Sequence, residues 1–193
     1  MGVIKKFEEN NCSIGIWDTQ ESLKELLLLS EKIDLSKFET EKRKKEFLAS
    51  RLLLKEIHPN QQILYNKYGA PEIRNGNQIS ISHSKNLAAI ASSKHKVGID
   101  IEQISVKPLQ LFSKFISKDT FSNLSKEKAT LIWCCKEAIF KWYQKGNIDF
   151  KNDIKLKPFI LEDSGEITAI FKNKEHTLYY KKIDTHFLVY VCT

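Results

Sequence analysis

Residues 97–102, VGIDIE, constrain the fold of this chain more than any other stretch. Along a β-strand successive side chains point to opposite faces, so Val97, Ile99 and Ile101 share one face and Asp100 and Glu102 the other. The apolar face asks for a core. The two carboxylates stand side by side, and like charges at that spacing raise each other's energy unless a proton or a cation lies between them. The flanks, HKVGIDIEQI, offer only Lys94 and Lys96 as nearby positive charges.

The surrounding pattern supplies a mixed architecture. CSIGIWD (12–18) alternates as a strand, and QESLKELLLLSEKI (20–33) reads as a helix with Leu23, Leu26, Leu27 and Ser30 on one side. ETEKRKKEFLASRLLLKEIHP (39–59) is a second helix, ended near Pro59. Turn signals follow at Tyr68-Gly69-Ala70-Pro71 and at Asn75-Gly76, the latter a hairpin signal between PEI and QISIS. LAAIASS (87–93) and VGIDIE are two further short strands. PLQLFSKFI and KDTFSNL (108–124) look helical, and KEKATLIWCCKEAIFKWYQKG (126–146) is the longest helical pattern, with Gly146 expected to close it. IKLKPFIL, GEITAIFK, TLYYKKI and HFLVYVCT then alternate in a β manner. The order predicts an α+β fold of helices with mostly antiparallel strands. The 193 residues suffice for one moderately large domain or two closely packed halves, expected at 1–97 and 98–193.

Composition narrows the classes. No apolar run reaches the roughly twenty residues of a membrane span, and the amino terminus lacks a signal-peptide pattern. Cys12, Cys134, Cys135 and Cys192 follow neither a disulfide framework nor a metal-binding spacing, so they are expected as reduced, mostly buried thiols in a cytoplasmic protein. The net charge of +7 favours an anionic partner: nucleic acid, a phosphorylated metabolite or an acidic protein.

Candidate chemistry concentrates on one helix. Trp133, Glu137 and Lys141 are spaced i, i+4, i+8 and form one stripe. An exposed Glu–Lys pair on a solvated helix explains Glu137 and Lys141 unless the stripe faces Asp100 and Glu102. If it does, three carboxylates converge into an all-oxygen site suited to Mg²⁺, and Lys136 and Lys141 complement the remaining charge of a bound phosphate ester or pyrophosphate. In SISHS (80–84) the serines line one face and His83 lies with Ile81 on the other; a break in alternation at the strand end would release His83 toward a cleft. Arg51, among Leu48, Leu52 and Leu54, wants a fixed anionic partner, and its rigid fork suits phosphate.

Taken in order, RKKEFLASR (43–51), YGAP (68–71), SISHS, VGIDIE and WCCKEAIFK (133–141) resemble the motifs of 4′-phosphopantetheinyl transferases of the surfactin-synthetase-activating type. The resemblance implies two similar α+β halves related by a pseudo-twofold axis, with coenzyme A between them. It implies Mg²⁺-dependent transfer (Mn²⁺ being the alternative ion) of 4′-phosphopantetheine from coenzyme A to a serine of an apo-acyl or apo-peptidyl carrier protein, releasing adenosine 3′,5′-bisphosphate. Carried onto this chain, it implies that Asp100, Glu102 and Glu137 hold the metal. Glu137, or a water it orients, is then the base, and Lys141 stabilises the pyrophosphate or protonates the leaving group. His83 contacts the coenzyme phosphates, and Ser82 lies near the nucleotide with the turn that carries Lys67 and Tyr68. Arg51, with Arg43 or Lys44, holds the 3′-phosphate. Ala70 departs from the pattern, standing where the family's turn carries a lysine; Lys67 is the substitute at hand. A monomer acting without nucleic acid or membrane is expected. Two rivals remain from the sequence: a basic nucleic-acid-binding module, which has no use for VGIDIE, and a protein that binds coenzyme A or a carrier protein without catalysis.

Overall fold

The computed structural model describes residues 3–30, 33–117 and 123–193. Among these residues, eleven strands form two antiparallel sheets. The first contains β1 (Val3–Glu9), β2 (Cys12–Asp18), β3 (Leu64–Tyr65), β4 (Pro71–Glu72), β5 (Gln78–Ser84) and β6 (Leu87–Ser93), in the order β1-β2-β6-β5-β4-β3. The second contains β7 (Val97–Gln103), β8 (Ile154–Leu156), β9 (Ser164–Phe171), β10 (Lys174–Ile183) and β11 (His186–Cys192), in the order β7-β11-β10-β9-β8. The fold is α+β, as the pattern predicts.

Alternation sorts the side chains into three cores. Ile14, Ile16, Ala89 and Ala91 of the first sheet meet Val97, Ile99, Ile101, Leu188 and Tyr190 of the second, so the sheets pack face to face. On the outer side of the first sheet, Trp17, Ile79 and Ile90 receive Leu48, Ala49 and Leu53 of helix α2 (Glu41–Ile57) and Leu26 of α1 (Leu23–Leu29). On the outer side of the second, Phe187 and Val189 receive Leu131, Cys135 and Ala138 of α4 (Lys126–Tyr143). All three apolar residues of VGIDIE are fully buried between the sheets.

Several elements differ from expectation. β1 is unforeseen: its mixed VIKKFEE carries no apolar alternation, and it is created by pairing with β2 across Asn10-Asn11, both at positive φ. α1 is shorter than 20–33, because Ser22 and Glu25 form a capping box that starts it and Ser30 closes it; Leu27, expected inward, is exposed. α2 matches, capped by Thr40 and stopped at His58 before Pro59. The helical reading of 108–124 survives as α3 (Val106–Gln110) and a 3₁₀ turn (Phe112–Lys114), while 118–122 of KDTFSNL lie outside the described residues. α4 is closed by Gln144 in the left-handed conformation, two residues before Gly146. In IKLKPFIL only Ile154–Leu156 pairs. All four cysteines are free thiols, three of them buried. No described helix is long and apolar enough to cross a membrane.

Candidate active site

The site begins with a glycine. A Cβ on Gly98 would lie 2.1 Å from the carbonyl oxygen of Ala138 and 2.7 Å from the backbone nitrogen of Trp142, so only glycine lets β7 touch the backbone of α4. Gly98, Asp100 and Glu102 share the face of β7 turned to α4. The stripe on α4 meets it there. Lys141 Nζ donates to Asp100 Oδ1 at 2.6 Å, and Trp133 Nε1 donates to Glu102 Oε1 at 3.1 Å. Glu137 lies between these two along the helix, half-buried, and no described hydrogen bond or ion pair reaches its carboxylate.

The electrostatics follow from that packing. Burial first, then the Asp100 charge, push the Glu137 carboxyl up to about 7. The same two causes, in the same order, raise Glu102. Burial works against the Lys141 ammonium, but Asp100 prevails and holds it above its ordinary value. Asp100 is 2 % exposed, and its Oδ2 is buried without a partner.

The serines of β5 complete this wall. β7 is an edge strand of the second sheet, and its outward N–H groups at Ile99, Ile101 and Gln103 donate to the hydroxyls of Ser80, Ser82 and Ser84 at 3.0, 3.2 and 2.9 Å. Period-two hydroxyls thus match period-two amides, which satisfies an edge that would otherwise lie open. Ser82 also accepts from Lys141 at 2.9 Å and donates to Asp100 at 2.7 Å, filling every hydrogen-bonding position of a hydroxyl. Ser84 donates to Glu102 at 3.3 Å.

A pocket of about 470 Å³ opens beside α2, lined by Lys37, Arg43, Glu46, Phe47, Tyr65 and His83 among others. His83 reaches it without any break in β5: Ile81 and His83 keep their alternation and line the same pocket. Burial holds the imidazole below its usual pKa. Of the other residues expected at a coenzyme, Arg51 stacks on Phe47, 3.2 Å from the ring centroid, and donates to Phe47 O; it faces a separate groove near Gln61. Lys44 and Tyr68 do not line the pocket, and the exposed Lys67 sits over the Tyr68 ring at 5.0 Å. Asn66, from the same turn, binds the backbone N–H of Tyr68 and Ala70.

Lys136 is a correction. It is 3 % exposed, on the buried side of α4, and its ammonium donates to the carbonyls of Phe150 and Ile154 rather than facing the carboxylates. Burial pushes it down to about 8. Lys136→Met is expected to strand both carbonyls and lower stability by about 2 kcal/mol. If the protein binds the coenzyme that the sequence resemblance implies, affinity for coenzyme A in that folded variant is expected to equal that of the wild type. Calorimetric unfolding and titration separate the two effects, and a selective loss of affinity would return Lys136 to the site.

Residues to which the sequence assigns no role, or to which it does not point at all, also belong here. Trp133 orients Glu102; Ser80 and Ser84 hold β7; Lys37 and Glu46 line the pocket. The signal for Glu46 was present in its i+3 spacing from Arg43, to which it is bonded.

A divalent cation is a partial fit. In its favour stand the orphaned Asp100 Oδ2 and two carboxyls, Glu102 and Glu137, raised by burial and then by the Asp100 charge. Mg²⁺ keeps several waters and needs only one or two carboxylates plus phosphate oxygens. Against direct three-carboxylate ligation, no group of three His, Cys, Asp or Glu among the described residues is placed to hold one ion.

With the geometry in hand, comparison assigns the family. The sequence profile of the 4′-phosphopantetheinyl transferase superfamily matches residues 96–192, half of the chain, and the chain belongs to that superfamily. The matched span contains Asp100, Glu102, Glu137 and Lys141. The chain is also similar to the 4′-phosphopantetheinyl transferase gsp of Aneurinibacillus migulanus, 29% identical over 140 residues, covering 67% of this chain and 57% of that protein. It thus spans little more than half the length of that curated relative.

Proposed function

We propose that this protein transfers 4′-phosphopantetheine from coenzyme A to a serine of an apo-acyl or apo-peptidyl carrier protein. One observation carries the reading: Trp133, Glu137 and Lys141 of α4 lie against Asp100 and Glu102 of β7, all inside the span that matches the family. In the reaction, the serine oxygen bonds to the β-phosphorus of coenzyme A, and the bond from that phosphorus to the bridging oxygen breaks. Adenosine 3′,5′-bisphosphate leaves.

The chain's own groups divide the work. Glu137, with no described hydrogen-bond partner of its own, takes the proton of the serine hydroxyl, directly or through a water. Lys141 gives its charge to the pyrophosphate as the bridging bond lengthens. His83 and Arg43, on the neighbouring pocket, hold coenzyme phosphates. Asp100, through its unpartnered Oδ2, and Glu102 would hold Mg²⁺ or Mn²⁺, which would supply charge neutralisation for the pyrophosphate. The direct three-carboxylate set that the resemblance implied, with Glu137 as third ligand, is not part of this reading. The net charge of +7 suits an acidic carrier.

The test is direct. Incubated with coenzyme A, Mg²⁺ and a panel of apo-carrier proteins, the protein is expected to add one phosphopantetheine to the carrier serine, read by intact mass. No gain on any carrier, with coenzyme A binding intact, favours a binding protein without catalysis and sinks the transferase reading.

A further inference from the structure

The pocket beside His83 contains a group of the wrong sign for phosphate. Glu46 is 6 % exposed, and its charged neighbours along the lining are Lys37, Arg43 and His83. A buried carboxylate costs desolvation, and it repels an anionic ligand through the same low-dielectric wall. Its contacts give it another task. Arg43 Nη1 donates to Glu46 Oε2 at 2.9 Å, His83 Nδ1 stands 3.9 Å from the same oxygen, and Lys42 Nζ stands 3.8 Å from Oε1.

The geometry points to Glu46 as a positioning residue for the phosphate-binding wall: one carboxylate oxygen holds Arg43 by a hydrogen bond and lies beside the His83 imidazole. The inference rests on the proposed coenzyme A reading and adds a residue to it. Arg43 alone is a largely exposed side chain on a solvated helix face, with rotamers to lose on binding. Tethered from below, it presents its remaining N–H groups in a fixed fork. His83 is faced by Glu46 and Arg43 from α2, Lys141 from α4 and Asp100 from β7. Burial depresses its pKa, Lys141 and Arg43 act the same way, and Glu46 is the strongest influence opposing them.

The two accounts of Glu46 differ in sign. If the carboxylate merely happened to lie near the ligand, Glu46→Gln would remove repulsion and tighten binding at every pH. If Glu46 positions the cations, Glu46→Gln frees Arg43 and leaves His83 less readily protonated. Coenzyme A binding at pH 7.5 is then weakened roughly tenfold, the scale of one lost charge-assisted hydrogen bond. The pH at which affinity falls off moves downward.

The experiment is calorimetric titration of the full chain with coenzyme A and Mg²⁺ from pH 5.5 to 8.5. It compares wild type, Glu46→Gln, His83→Gln and the double variant, with circular dichroism confirming the fold. The expected result is weaker binding and a lower midpoint for Glu46→Gln, with the midpoint shift absent in the His83→Gln background. Equal or tighter binding by folded Glu46→Gln overturns the inference while leaving the coenzyme A reading intact. Failure of the wild type to bind coenzyme A overturns that reading instead. Should Glu46→Gln unfold, Glu46→Asp keeps the charge but shortens the reach. Positioning requires it to bind more weakly than wild type, and wild-type affinity refutes the inference.

Discussion

Gly98→Ala is expected to be among the most damaging single substitutions this chain can suffer. The added methyl would stand 2.1 Å from one backbone atom of α4 and 2.7 Å from another, with Trp142 Cβ at 2.8 Å. A side chain can rotate away from such a clash. A helix backbone cannot, so α4 must lift as a unit from β7 or the strand must leave its sheet. Overpacking that displaces backbone costs about 3 kcal/mol or more. That is a large share of the roughly 5–15 kcal/mol by which domains are typically stable. The expected observation is a marked fall in denaturation midpoint, and in whatever folds, loss of transfer as Lys141 parts from Asp100. A wild-type midpoint for Gly98→Ala would show that the close approach does not exist in solution.

The second large effect concerns that ion pair. Asp100 is 2 % exposed, whereas the Lys141 side chain is 25 % exposed. Losing either partner strands the other, but not equally. After Asp100→Ala the ammonium keeps its hydrogen bond to Ser82, on a side chain that is a quarter exposed. After Lys141→Met the carboxylate stays buried with Oδ2 already unpaired, while the Ser82 hydroxyl still donates to Oδ1. Lys141→Met is therefore expected to cost about 3 kcal/mol of stability, near the low end for a broken buried pair, with Asp100→Ala costing less. The double variant should recover part of the loss, with a coupling of about 1–3 kcal/mol. On the proposed transferase reading, both single variants should abolish detectable carrier modification. Urea unfolding of the four proteins measures the cycle; a reversed order of the two single costs would mean that Asp100 is better solvated than the packing indicates.

Much of this was legible in the sequence, for stateable reasons. The period of two in VGIDIE placed Val97, Ile99 and Ile101 in the core, and the i, i+4 spacing put Trp133, Glu137 and Lys141 on one stripe. That the stripe meets the strand was only a condition there, because nothing local to either segment specifies their contact. Gly98, which permits it, carries no mark in the sequence of the helix backbone it meets. Lys136 misled because nearness in sequence is not nearness on a helix: adjacent residues are ~100° apart, which turns it into the core beside Glu137. The role of Ser80, Ser82 and Ser84 depends on the register of β5 against β7, two strands from different sheets, and no local pattern encodes that. β1 was invisible because its pairing, rather than its composition, makes it a strand.

The hydroxyls between β5 and β7 have a mechanical consequence. Where backbone ladders join strands, parting them breaks bonds in a cooperative series. Here three rotatable side chains act as stitches between two sheets, each worth about 1 kcal/mol, and each can loosen without unpairing any strand from its own sheet. The middle stitch, Ser82, is knotted to Lys141 and Asp100. A phosphate that drew Lys141 toward itself, as the proposed reaction has it, would therefore tug on the thread that sews the two sheets together.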